Sequence, residues 1–384
     1  MNVRDLLIAL LRYAIKGEAL DKRAVEKSLS SDKMATLFKV SKKHDVAHIV
    51  CGAMEENGIF LDCEAYQSFL KEKEQAKLRY EMIKKDTEEI CEAFESAQIK
   101  YIPLKGAVLR RLYPREEMRT SCDIDILVCE QDLDRACLVL SEHLSYTVEG
   151  KKTYHDISLF SPFGMHLELH YNIKENMKKL DPVLEKVWEH SQSEQGKQMH
   201  LESNEFLAFH LLAHAAYHFV NGGCGLRAVL DAYLLLEKCE LDKEELEKLL
   251  SSAGLVSFAQ AIISLGEYWF GDKRQASHTV EEIEKYILLG GVYGTEKQSA
   301  AARQAKSGGK IRYFWSRIFL PYESLAVLYP VIKRHKILTP FCQIARWLGV
   351  IFKGKRIKRE IKNIKEVDSS QTEGIKALLK SLEL

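Results

Sequence analysis

Apolar and polar positions along this chain follow two rhythms, and the rhythms are segregated. Over residues 1–98 the spacing is helical throughout. Leu6, Leu7, Leu10, Leu11 and Ala14 recur on one face of a first helix, and Ser31-Asp32 opens another that ends near Lys43. Val46–Glu56 and Glu64–Ala97 give two more, the last long and heavily charged. Between 99 and 175 the period shortens to two. Tyr101–Leu104 reads as a short apolar strand running into Lys105–Gly106, followed by about two helical turns over Ala107–Tyr113. Pro114 ends that helix, because the residue before a proline is pushed out of the helical region. Asp123–Val128 is a second strand, Gln131–His143 a helix, and Ser145–Gly150, His155–Phe160 and Met165–Tyr171 are further strands. From Ser203 the helical spacing returns. The pattern predicts an α+β protein with a small mixed β-sheet core at 99–175. An N-terminal helical subdomain (1–98) and a helical domain that closes a cleft (176–289) flank it. Residues 290–309, rich in Gly, Ser, Ala and Lys without apolar period, read as a mobile loop, and 310–384 as a basic helical segment.

Chemistry concentrates in the sheet. Side chains alternate faces along a strand, so Asp123 and Asp125 point one way while Ile124 and Ile126 point the other. Two carboxylates so close repel unless they are solvated or share a divalent cation. The stretch Met165–Tyr171 repeats the alternation, with His166, Glu168 and His170 on one face, and supplies a third carboxylate on a neighbouring strand. The strand–Gly–helix junction at Lys105–Gly106 offers backbone N–H groups at the positive end of a helix, a natural phosphate cradle. Three carboxylates beside such a cradle are what two-metal phosphoryl and nucleotidyl transfer requires.

These residues carry a family resemblance. Leu104-Lys105-Gly106, a helix ending in Tyr113-Pro114, Arg119 and Ser121 before Asp123–Val128, then Leu167–His170, resemble the uncharacterised nucleotidyltransferases of the polymerase-β-type superfamily. The resemblance continues through Glu205–Phe219 and Leu226–Leu236, and covers at least Val40–Phe270. Two departures stand out: Lys105 and Ala107 flank the glycine where the broader superfamily has Gly-Ser, and the gap from Gly106 to Asp123 is long. The resemblance implies Mg²⁺ or Mn²⁺ on Asp123, Asp125 and Glu168. It also implies an NTP whose phosphates meet Lys105 and Gly106, and Arg119 and Ser121 in the loop before the acids. Arg119 is expected to brace Asp125 in preference to neutralising phosphate. His214 and His218, which with His210 form an i, i+4, i+8 stripe, are implied to line the nucleotide cleft; zinc on that stripe lacks a completing ligand, and a purely packing role for these histidines stays open.

Charge adds one asymmetry. The 384 residues carry a net +1, yet 310–365 holds 14 Lys/Arg against 2 acids, a net of +12, interleaved with aromatics. Such a segment fits RNA or an anionic surface, or is simply the solvated face of helices. Basic helix faces are commoner than RNA sites and no recognised RNA-binding motif accompanies this one, so the acceptor is expected to be a small hydroxylated molecule, with an RNA 3′ end (a tRNA, as for a toxin-like enzyme) as the alternative. A non-catalytic nucleotide-binding regulator is a further reading. Nine cysteines without C-x-x-C spacing point to reduced thiols and a cytoplasmic location. The first 20 residues carry Asp5 and lack a small-residue cleavage site, so they are not read as a signal peptide. No run of about 18 uncharged apolar residues suggests a membrane span. Oligomeric state is left open.

Overall fold

The computed structural model describes residues 1–150, 152–193, 196–273, 275–292, 294–306, 315, 319–320, 322–351 and 369–384. Its centre is a five-stranded mixed sheet of β1 (Tyr101–Pro103), β2 (Asp123–Val128), β3 (Thr147–Val148), β4 (Asp156–Phe160) and β5 (His166–His170), in the order β1-β2-β5-β4-β3. Strand β2 runs antiparallel to β1 and parallel to β5, while β4 and β3 complete an antiparallel meander. The protein is thus α+β, with a small mixed sheet among helices, as the period change predicts.

The two faces of β2 are covered by different elements. Ile124, Ile126 and Val128, with Leu167 and Leu169 of β5, turn to the back. There they pack on Ile83, Ile90 and Phe94 of the long helix α5 (Glu64–Ser96) and on Leu133, Ala136 and Leu140 of α7 (Leu133–Leu144). The front face turns towards a helical bundle. That bundle combines α1 (Val3–Lys16), α2 (Lys22–Ser28), α3 (Ser31–Lys43) and α4 (Ala47–Glu56) with the short α8 (Asp181–Leu184) and with α9 (Asn204–Val220), α10 (Leu226–Lys238), α11 (Lys243–Ser252), α12 (Val256–Trp269) and α13 (His278–Gly290) in one continuous apolar cluster. Ile102, Leu104 and Leu127 of the sheet join it. The front of the sheet and the flank of α9 become the two walls of a cleft.

Three predicted elements differ. The strand expected over Ser145–Gly150 is only the exposed pair Thr147–Val148. The helix expected over Ala107–Tyr113 is a single turn, α6 (Gly106–Leu109), continued by a tighter 3₁₀ turn at Arg110–Leu112. The loop expected at 290–309 is largely a helix, α14 (Glu296–Lys306), which buries Ala300, Ala301, Ala302 and Ala305. Alanine is the strongest helix former but contributes little apolar contrast, so the helix leaves no visible stripe in the sequence. A helix at Ser369–Ser381 packs on α13 and α14 through Ile375, Leu378, Leu379 and Leu382. The basic run Lys353–Lys365 lies outside the described residues. No described helix is long and apolar enough to cross a membrane.

Candidate functional site

The cleft between the sheet and α9 has a volume of about 550 Å³, within the range of small-molecule sites. Strand register fills its floor with charge. Asp123 pairs with His166, Asp125 with Glu168 and Leu127 with His170, and paired residues of neighbouring strands project to the same face. The three predicted carboxylates therefore converge. Ligand atoms of Asp123, His166 and Glu168 lie within 4.8 Å of one another, and so do those of Asp125, Glu168 and His170. Such oxygen-rich sets suit a hard divalent cation, so the residues present fit Mg²⁺ or Mn²⁺.

Their electrostatics are unequal. Burial pushes the Asp123 carboxyl upward, and the charges of Asp125 and Glu168 push it further. Burial acts on Asp125 in the same direction but is overridden. His170 donates Nε2–H to Asp125 Oδ1 at 3.0 Å, and with Lys105 nearby the carboxyl sits below its ordinary range. The same imidazole lies 3.5 Å from Glu168 Oε2 and lowers that carboxyl too. Burial would lower His170, but the two carboxylates win and push it up to about 9. Its ring stacks on His155 at 5.4 Å between centroids, and its Nδ1 has no hydrogen-bond partner among the described residues.

The opposite rim is the β1–α6 junction. Lys105 has φ 35° and ψ −93°, outside the regions that side-chain-bearing residues occupy readily. Gly106 follows in close quarters: a Cβ there would press on Arg119 Nη1 at 3.2 Å and meet Ser121 Oγ in ordinary contact at 3.6 Å. The glycine thus serves a close approach of the loop before β2. Ser121 donates its hydroxyl to the Asp123 carbonyl at 2.9 Å and fixes the entry into the strand.

The family model of uncharacterised nucleotidyltransferases matches residues 30–271. The chain belongs to that family. An antigenic nucleotidyltransferase-like protein from Paracoccidioides brasiliensis is a structural neighbour at 13% identity, covering 48% of this chain and 91% of its own, with a TM-score of 0.29. No curated protein matches the chain.

In this family member Arg119 does not brace Asp125. Its guanidinium grips Asp231 of α10, with Nη2 donating to Oδ2 at 2.9 Å and Nε to Oδ1 at 3.2 Å, and Tyr113 donates its hydroxyl to the same Oδ1 at 2.7 Å. Asp231 offers that partner from inside the bundle, so the arginine is drawn away from the sheet. Asp125 is braced by His170, whose place on the polar face of β5 is legible in the alternation although its partner is not. All three histidines of the stripe line the cleft, but His210 is buried and spends its Nδ1 on Glu202 at 2.9 Å, whereas His214 and His218 are less enclosed. Glu175 was not foreseen. It sits in the loop after β5, held by its backbone N–H on Asp181 Oδ1 at 3.0 Å, and receives His214 Nδ1–H at 2.6 Å. Tyr154, His155 and Tyr217, also lining the cleft, carry no pattern that marks them in the sequence.

Proposed function

We propose that the protein transfers a nucleoside monophosphate from an NTP to a hydroxyl of a small acceptor. The carrying observation is the convergence of Asp123, Asp125 and Glu168 on one face of a cleft whose facing rim is Lys105–Gly106. Family membership supports the same class of reaction. Asp123, Asp125 and Glu168 would hold Mg²⁺ or Mn²⁺, which neutralises triphosphate charge when bound. His170 holds Asp125 and Glu168 in place and keeps them ionised. Lys105 brings a positive charge to the phosphates, and the Gly106 N–H lies at the start of the following turn. Arg119, locked on Asp231, ties the loop carrying Ser121 to the helical wall, so that sheet and bundle hold a fixed spacing.

The volume of the cleft supports a small acceptor over a polynucleotide. RNA remains the competing acceptor on the strength of the +12 charge of residues 310–365. A thermal-shift screen of the four NTPs with Mg²⁺ or Mn²⁺, followed by labelling of metabolite and RNA pools with α-³²P-NTP, tests the proposal. Label is expected in a small product, with pyrophosphate released. No nucleotide-dependent stabilisation and no label transfer in any pool would overturn it.

A further inference from the structure

The wall facing the acidic strands carries titratable groups that the reaction so far leaves unused. His214 Nδ1 stands 2.6 Å from Glu175 Oε1, and His214 Nε2 stands 3.1 Å from His218 Nε2. These contacts determine one another. A carboxylate only accepts, so His214 carries its proton on Nδ1 and presents a lone pair at Nε2. His218 must then donate from Nε2 and keep a lone pair on Nδ1. Lys105 Nζ lies 3.3 Å from His214 Nδ1, a nitrogen whose hydrogen is already given to Glu175. The ammonium is there a neighbouring charge rather than a donor. Burial, with Lys105 and His218, holds His214 far below the usual imidazole range, and burial lowers His218 as well.

We infer that Glu175, His214 and His218 form a proton relay that receives the hydroxyl proton of the acceptor. His218 is the catalytic residue that meets the hydroxyl, and His214 and Glu175 are positioning residues behind it. This rests on the nucleotidyl-transfer reading. Glu168 is poorly suited to the task, since one oxygen faces His170 at 3.5 Å and the group is needed by the cation. In the step, the acceptor oxygen bonds to the α-phosphorus as the bond from that phosphorus to the bridging oxygen breaks. Pyrophosphate leaves with the electron pair. The hydroxyl proton passes to His218 Nδ1, the Nε2 proton moves to His214, and the His214 Nδ1 proton moves towards Glu175. Each group thus gains one proton and gives one on, and the last is released to solvent after turnover. The carboxylate holds the tautomers in register, as in other carboxylate–imidazole pairs.

The charged and titratable groups facing the relay come from four places. They are Lys105 at the β1–α6 junction, Tyr154 and His155 before β4, Asp125 on β2, and His210 and Tyr217 on α9 itself. Burial is the largest influence keeping both imidazoles neutral and Lys105 adds to it, while Asp125 opposes it at His214 and Glu175 at His218.

The test uses the full chain with Mg²⁺ and NTP, water serving as the acceptor, and follows release of NMP and pyrophosphate against pH. His218→Gln is expected to slow release roughly 100-fold or more and to flatten the acidic limb of the profile, with the NTP-induced thermal shift unchanged. Glu175→Gln should move that limb, and Glu175→Asp should restore part of it. ¹⁵N-histidine spectra of the substrate-free wild type should show His214 protonated on Nδ1 and His218 on Nε2, a pattern lost in Glu175→Gln. Should His218→Gln melt early, the wild-type tautomers and His218→Asn decide instead. Wild-type turnover with an unaltered rate and profile in the variants sinks the relay alone. A wild type that neither binds nor cleaves any NTP sinks the transferase reading beneath it.

Discussion

Asp123 and Asp125 are two residues apart on one strand, yet they carry opposite electrostatic burdens. Asp125 is held ionised by His170, whereas Asp123 is crowded by burial and by two carboxylates, which outweigh the charges of His166 and Lys105. In metal-free buffer Asp123→Asn should therefore melt at or slightly above the wild type. Asp125→Asn gives up a charge-assisted hydrogen bond and should lose about 1–3 kcal/mol. Both should reduce label transfer by about 100-fold or more, and calorimetry with EDTA beside the labelling assay reads the two effects separately. Equal melting of the pair would contradict this asymmetry. The carboxylates are legible in the sequence because a period of two ties residue type directly to face. Glu175 is not, because a loop residue has no period and its role depends on the distant α9. The expected bracing of Asp125 by Arg119 fails for a related reason: its partner Asp231 lies 112 residues further on, and only the folded bundle brings the two together.

At the scale of elements, the β1–α6 junction decides how the cleft works. Lys105 at φ 35° keeps a side chain where glycine would rest more easily, and strained positions of this kind cost on the order of 1–3 kcal/mol. Lys105→Gly is expected to melt no lower than Lys105→Ala, while both weaken the NTP-dependent thermal shift by about tenfold in affinity. A Lys105→Gly protein clearly less stable than Lys105→Ala would mean the backbone there is unstrained. The neighbouring buried pair behaves differently. Arg119→Ala leaves Asp231 charged at 3% side-chain exposure, and the expected loss is about 3–5 kcal/mol in chemical denaturation. The strands β1, β2, β4 and β5 and the long helices match their expected spans within a few residues, because each buries an apolar face, whereas β3 keeps only the exposed Thr147 and Val148 of the expected Ser145–Gly150. The helix read over Ala107–Tyr113 tightens into a 3₁₀ turn after Leu109, and the alanine-faced α14 leaves too little apolar contrast to register as a period.

Across the whole molecule, contacts of great sequence separation join the two helical stretches. His44 is fully buried, accepting from the Leu226 N–H at 3.1 Å and facing the Leu288 carbonyl at 3.3 Å, so it sits neutral between α10 and α13. Burial lowers it from the usual imidazole value to about 4. An unfolded chain then takes up the proton first as pH falls below about 6.5, so stability contributed by His44 is lost between about 6.5 and 4. His44→Asn should flatten that part of the stability–pH curve, which spans on the order of 3 kcal/mol in the wild type; an unchanged curve would show that His44 is protonated in the fold. The Ser369–Ser381 helix belongs to the same bundle, so removing residues 353–384 does more than strip charge. Deletion of 369–384 should lower the melting temperature by several degrees through loss of Leu379 and Leu382 burial. Replacing only the Lys and Arg of 353–365 by Gln should leave melting unchanged. A fall in RNA retention at low salt in that second variant would revive the polynucleotide acceptor.

The docking of Ser369–Ser381 on α13 and α14 also sets a schedule for biosynthesis. The 62 residues of 307–368 separate the end of α14 from the start of that helix. At roughly 5–20 residues per second, the ribosome needs about 3–12 seconds to reach it. Throughout that interval the nascent α13–α14 surface stands uncovered and open to wrong partners. A helix without any chemistry of its own thus determines when the newborn chain stops being a client for chaperones.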